Sequence, residues 1–174
     1  MVAVFPPGIK AEGASTVVFV PTLADPADVV LAEVTGGLDV SYFLKGGQFQ
    51  PGGDQPKGDD RRYGSKETFE VLGRDKPSIA DIQYVIDPQA AAATPENEAY
   101  ETFKAGVTGF FIIRWGLDVD AAFAAAQVVD VWPVMFGAQR KTPIAENDEF
   151  AVLTATQSVA VTGRVEYDVP IAAA

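Results

Sequence analysis

The stretch that most narrows what this chain can fold into lies near its C-terminus. Val159, Val161, Val165, Tyr167 and Val169 fall on one side of an extended backbone, with Gly163 in the same register, and Thr162, Arg164, Glu166 and Asp168 fall on the other. Period-two alternation is the signature of a half-buried strand. Eleven such residues at ~3.3 Å each predict a strand of about 36 Å, far longer than the usual five or six residues. A strand of that length needs partners, so the alternation predicts a mainly-β domain. Residues 150–158 are its expected neighbour in sequence. Gln157-Ser158 has no two-residue turn signal such as Asn-Gly, which leaves a bulge or bend within one long strand as the alternative to a hairpin.

The other segments agree with that class. Thr16-Val-Val-Phe-Val20 before Pro21 reads as a buried strand, residues 39–44 and 66–72 as strands, 78–87 as a half-buried strand and 107–115 as a central one. Residues 128–136 are strand-like with Pro133 inside, a pattern that suits an edge or a bulge. Asp25-Pro26 predicts a short helix ending at Gly36, and Thr94-Pro95-Glu96 predicts a second one running to about Ala105. Residues 118–126 suit either a helical turn or a loop. Between Lys45 and Asp60, five of sixteen residues are Gly and two are Pro. Neither helix nor strand is expected to persist there, which predicts a long exposed loop, and loops of that length are commonly functional. No 20–50-residue repeat is present. The expected fold is a single domain over residues 1–174, a mainly-β sandwich or barrel with one or two short flanking helices and a long extended loop at residues 45–62.

Composition excludes several kinds of chemistry. The 174 residues include no His and no Cys, so His-dependent triads, thiolate nucleophiles, imidazole or thiolate metal sites and disulfides are ruled out. With 13 Lys+Arg against 24 Asp+Glu the formal charge is −11. That surplus disfavours a protein that grips nucleic acid by neutralising phosphates, and one that binds an anionic membrane. Met1-Val2-Ala3-Val4-Phe5 has no cationic leader, and residues 107–113 are too short for a membrane helix before Arg114 intervenes. A soluble chain made in the cytoplasm is expected.

The remaining candidates for chemistry are weak. Asp59 and Asp60 resemble an acid/base pair, yet neighbours on an extended chain point opposite ways and do not flank one bond; a solvated or inter-subunit charge cluster with Arg61 and Arg62 is the simpler reading. Asp118-Val119-Asp120 and Glu146-Asn147-Asp148-Glu149 offer oxygen ligands without the calcium-loop pattern. Ser65-Lys66 is commonplace, and no glycine-rich phosphate loop is present. No cofactor and no catalytic residue are expected.

Charge is polarised along the chain. Residues 57–76 hold six of the thirteen basic residues against five acids, whereas residues 77–130 hold eight acids and two basic residues. Together with unpartnered strand edges, this points to self-association in which a basic segment of one copy meets an acidic segment of another.

Several stretches, taken in order, resemble the major tail proteins of long, flexible-tailed actinobacterial phages. They are Val17-Val-Phe-Val-Pro-Thr-Leu-Ala24 with Gly37-Leu38-Asp39-Val40-Ser41; Asp59-Asp60-Arg61-Arg62 with Glu67-Thr68-Phe69-Glu70 and Gly73-Arg74; Tyr84-Val85-Ile86-Asp87-Pro88-Gln89; and Val131-Trp132-Pro133-Val134 with Gly137-Ala138-Gln139-Arg140-Lys141-Thr142-Pro143 and Thr162-Gly163-Arg164-Val165. The resemblance implies a structural virion protein: a tail tube β-barrel or sandwich that forms stacked hexameric rings with their inner strands merged into one barrel. Assembly would take place in the host bacterial cytoplasm. The implied partners are further copies of the chain, the tape-measure protein, the tail terminator and tail tip proteins, and DNA as a passenger that does not stick. On this reading Asp81, Gln83, Glu166 and Asp168, polar positions of alternating strands, are expected to face the lumen. Lys45, Lys57, Asp59, Asp60, Arg61 and Arg62 are expected to belong to an inter-subunit loop that packs on the adjacent ring. The competing classes are a carbohydrate-binding or hydrolytic β-sandwich, and a head–tail connector or capsid decoration protein.

Overall fold

A computed structural model describes residues 8–90, 94–142 and 151–173. The strands are β1 (Ser15–Val20), β2 (Leu38–Asp39), β3 (Pro51–Asp54), β4 (Lys57–Asp60), β5 (Phe69–Leu72), β6 (Lys76–Ile79), β7 (Ile82–Val85), β8 (Thr108–Trp115), β9 (Val128–Thr142), β10 (Thr154–Val161) and β11 (Glu166–Pro170). Two short helices accompany them, α1 (Leu31–Thr35) and α2 (Glu98–Thr102), the second led in by a 3-10 turn at Pro95–Asn97. The main sheet is antiparallel in the order β2-β1-β8-β9-β10-β7, and β11 pairs with β9 beyond the end of β10.

Side-chain alternation on the central strands builds a core on each face of this sheet. Val17 and Phe19 of β1, Phe111 and Ile113 of β8, and Trp132, Val134 and Phe136 of β9 point to one side. There they meet Phe103 at the end of α2, whose ring stacks on Phe136 with centroids 4.3 Å apart while Phe19 and Phe111 stand edge-on. Gly109 makes this packing possible, because a Cβ there would sit 2.5 Å from the Phe19 ring. On the other face Val18, Val20, Ile112, Val129 and Val131 are covered by Val34 of α1, Val29 and Ile171.

The long strand predicted from the alternation exists, but it is assembled differently. The fifteen-residue strand is β9, and the alternating segment lies against it in two pieces. β10 ends at Val161, paired with Val134, and β11 begins at Glu166, paired with Val131. The gap stands opposite Trp132 and Pro133, so the proline occupies the place where the ladder is already interrupted. The register shifts along β9 lie opposite Gln157/Val159 and Glu166/Val169 rather than at the proline, and Pro133 pairs with Phe110 inside the sheet, so it occupies neither the expected bulge nor an outer edge. The predicted eleven-residue strand fails because Gly163 forms a bend and Asp168 adopts φ 55°, which puts a register shift between Glu166 and Val169. Tyr167 is consequently 53% exposed rather than inward.

The irregularity expected at Gln157-Ser158 is present. Gln157 pairs with Gln139 and Val159 with Phe136, so β9 uses three residues where β10 uses two. Such a bulge flips the faces of the bulged strand. Phe136 and Gln139 therefore both point to the aromatic core. Buried Gln157 pins the bulge by donating to the carbonyls of Phe103 (2.6 Å) and Gly137 (2.7 Å) and accepting from Tyr84 Oη (2.9 Å), which in turn accepts from Gln139 Nε2 (2.9 Å).

Other boundaries are corrected. Asp25 caps a turn by accepting from the Ala27 N–H (2.9 Å), and the helix begins only at Leu31, where the Glu33 carboxylate takes the Val30 and Ala24 N–H groups. Gly36 ends it as expected. The strand expected over residues 39–44 is only β2 followed by a turn. The loop expected at residues 45–62 contains two short strands, because β3 pairs with β6 and β4 with β5. Glycine and proline do not break these ladders, in which Pro51 faces Ile79, Gly52 faces Ser78 and Gly58 faces Val71. Gly53 faces Pro77, and a Cβ on Gly53 would approach the Lys76 carbonyl to 3.0 Å. The result is a two-stranded arm over residues 51–79, built from two successive ladders of four residues per strand that are separated by residues 55–56 and 73–75.

Candidate assembly interface

The arm is the first component. Its inner half, β3–β6, returns to the body at buried Ile79. Its outer half is exposed on both faces, and a two-stranded ribbon in water is marginal without a partner. Phe69 (54% exposed) and Val71 (50%) share one face with Gly58 and Asp60, while Leu72 and Glu70 share the other with Lys57 and Asp59. Since Gly58 stands directly across from Val71, no cross-strand side chain shields it.

Every ionic contact of the arm is local and solvated. Lys57 meets Glu70 at 3.3 Å, Arg61 meets Asp59 at 3.2 Å, and Arg62 meets Asp60 at 2.9 Å. Exposed pairs of this kind contribute little, so these cations are available to exchange partners. The structure thus brings Lys57, Asp59, Asp60, Arg61 and Arg62 together on the outer half. Lys45 lies apart, its N–H bonded to the Gln83 carbonyl (2.8 Å) beside β7.

The second component is the far end of β9 and β10. β8 ends its pairing at Met135, and among the described residues no strand pairs with residues 138–142 of β9 on that side. Likewise β7 pairs only with residues 154–157 of β10. Among the described residues β9 therefore runs past β8 with an unpaired edge over residues 138–142, whereas β10 is covered there by β7 and has its own unpaired stretch at the opposite end, over residues 158–161. Cross-strand register puts Gln83, Thr156 and Arg140 in one row on the face opposite the aromatic core. Thr142 and Thr156 hydroxyls meet at 2.6 Å, and Gln83 Nε2 donates to Thr154 Oγ1 (2.9 Å). Asp81, Ala138, Arg140, Thr156 and Ser158 line a shallow cavity of about 180 Å³ on this face.

Of the four positions expected to face a lumen, Asp81 and Gln83 come together here. Glu166 and Asp168 do not join them. Glu166 stands across from Val131, nine residues along β9 from Arg140, a separation on the order of 30 Å. Glu166 is paired with Arg164 at 3.2 Å, and the Asp168 N–H donates to Asp130 Oδ1 (3.1 Å).

Sequence reasoning missed Arg114. It ends the apolar run of β8 yet is wholly buried, holding residues 118–127 in place. Its guanidinium donates to the carbonyls of Asp118 (3.0 Å), Ala121 (2.7 Å) and Ala122 (3.2 Å), to Thr16 Oγ1 (2.9 Å) and to Gln127 Oε1 (3.1 Å), and lies over the Phe123 ring. Burial pulls its pKa down, and the charge is compensated by carbonyl dipoles rather than by a bonded carboxylate. The only available signal was an arginine in strict alternation with buried β8 residues. The Asp118-Val119-Asp120 stretch forms the outside of the same loop; Asp120 accepts from Tyr42 Oη (2.7 Å), the bond that chiefly raises that phenol's pKa. Residues 146–149 lie outside the described residues. Among the described residues no cluster of acids has metal-binding geometry, and no helix is long and apolar enough to cross a membrane.

A curled antiparallel sheet with an unpaired β9 edge, two short helices and an exposed two-stranded arm defines a mainly-β protein. The family to which it belongs is that of the phage tail tube proteins, whose family model matches residues 3–174, nearly the whole chain. The chain is accordingly a structural protein of the virion tail. Among curated proteins no relative matches.

Proposed function

We propose that copies of this chain form closed, stacked rings, six subunits each, whose β9–β10 strands join edge to edge into a continuous barrel around a channel. The observation that carries this reading is the pair of unpaired edges at opposite ends of the β9–β10 ladder, residues 138–142 of β9 and 158–161 of β10, beside a polar face. Open edges of that kind pair with another chain unless blocked. The arm supplies the second contact, packing on a neighbouring ring through the segment that begins near Lys45 and includes Lys57, Asp59, Asp60, Arg61 and Arg62. The protein performs no catalysis in this role and takes no cofactor.

The polar face with Asp81 and Gln83 lines the channel on this reading, and Glu166 and Asp168 mark the other end of the surface each subunit contributes. Six copies at −11 carry about 66 formal negative charges. A negative wall repels phosphates, so DNA slides through without adhering. The tape-measure protein fills the channel during assembly in the host cytoplasm, and terminator and tip proteins close its ends. The colinear stretches quoted above extend the reading to a phage of an actinobacterial host. Light scattering coupled to size exclusion tests the assembly step: the expected mass is a ring-sized multiple of 18.4 kDa that grows with concentration. A monomer at every concentration up to the millimolar range would overturn it.

A further inference from the structure

We infer that the Phe69–Val71 face of the arm seats in one specific groove of a second copy, the hollow between β2 and α2. This deepens the assembly reading above and rests on it. The groove has a volume of about 630 Å³, within the range of sites that bury a ligand. Its floor is apolar, with Phe19, Phe43 and Val107, and its rim carries Asp39, Glu98 and Thr102.

Three observations select the arm of another copy as the occupant. No arm residue lines the groove within one chain, while the outer half of the arm is exposed on both faces, so each copy leaves both surfaces unfilled. Their chemistry is complementary. The arm presents Phe69 and Val71 beside Gly58, and close to them a basic tip with Arg61, Arg62 and Lys66; the groove presents an apolar floor with a rim of carboxylates. Residues 57–76 carry six of the thirteen basic residues of a chain that is otherwise strongly acidic. The surfaces are also distinct in the fold: β2 is one terminal strand of the main sheet, whereas the arm leads through Ile79 into β7, the other. A contact between different surfaces is heterologous and propagates from copy to copy, closing a ring or continuing along a tube.

The absence of native cysteine makes the contact directly testable by cross-linking. Val71→Cys protein is mixed with Thr102→Cys protein under assembly conditions and oxidised. A disulfide forms only where the Cα atoms approach to about 4.4–6.8 Å. The expected result is a covalent dimer on non-reducing gels, enriched about tenfold over a dilute, unassembled mixture, because assembly raises the local concentration of the two thiols. Phe69→Cys paired with Thr102→Cys serves as the second arm position, and circular dichroism confirms that each variant folds. Rings or tubes on the grid without cross-linking from either arm position overturn the groove assignment and leave the tube reading standing. Failure of the unsubstituted protein to assemble under any condition removes both.

Discussion

At the scale of single residues, the two most consequential side chains are polar groups inside apolar surroundings. Arg114 donates five hydrogen bonds and is, among the described residues, the one buried cation. Arg114→Met removes the fork, leaves the Ala121 carbonyl without its donor, and leaves those of Asp118 and Ala122 with one each, from the Ala121 N–H (3.0 Å) and Gln127 Nε2 (3.3 Å). The expected loss is on the order of 3 kcal/mol by chemical denaturation, with Arg114→Lys recovering only part of it because an ammonium lacks the planar fork. Tyr84 is the second case. Burial pushes its phenol up to about 12 from the ordinary 10.0. In the unfolded chain the proton leaves near the ordinary value, so this group's contribution to stability is intact below pH 10 and is lost as pH rises through about 12. Urea midpoints should therefore fall between those values, and Tyr84→Phe should flatten the fall while costing about 1–2 kcal/mol at neutral pH through unpaired Gln157 and Gln139. Neither role was legible from sequence. An arginine at the end of an apolar run reads as a strand terminator, and only the return of residues 118–127 over it supplies the carbonyls that permit its burial.

At the scale of elements, the arm separates what local pattern reveals from what pairing decides. Glycine and proline at residues 45–60 correctly signalled an exposed segment, yet they concealed a ladder because the strand-forming residues sit on the partner side, in Phe69, Val71, Leu72 and Ile79. The central strands β1 and β8 were legible because both faces are buried and their apolar runs are continuous. The C-terminal alternation gave the right segment and the wrong length, since a register shift beside Asp168 leaves no trace in a period-two pattern. If the arm acts as an assembly device and contributes nothing to the core, replacing residues 55–75 by a short turn between Asp54 and Lys76 should leave the melting temperature within a few degrees of the parent and abolish assembly. A large drop in melting temperature would show that the arm belongs to the folding unit. Gly109→Ala is expected to act on the folding unit instead: its Cβ meets the Phe19 ring at 2.5 Å, so it should cost about 1–3 kcal/mol by overpacking, read as a lower urea midpoint.

At the scale of the whole molecule, the missing histidine and cysteine, the acidity and the open edges acquire one common explanation. A subunit whose task is to join copies of itself needs no nucleophile and no metal. On the proposed tube reading it needs edges that pair, an arm that reaches, and a surface along which a polyanion passes. The candidate site was partly legible: the charge mix of residues 57–76 located the arm, and Asp81 with Gln83 located the polar face. The groove beside β2 was not legible, because Phe19, Phe43 and Val107 come from three separated segments that only the curl of the sheet brings together. Electron microscopy of the purified, negatively stained protein tests the central claim most directly. The account predicts rings with a central hole that stack into tubes of uniform width. Discrete monomers at every concentration, or isolated rings that never stack, would contradict it.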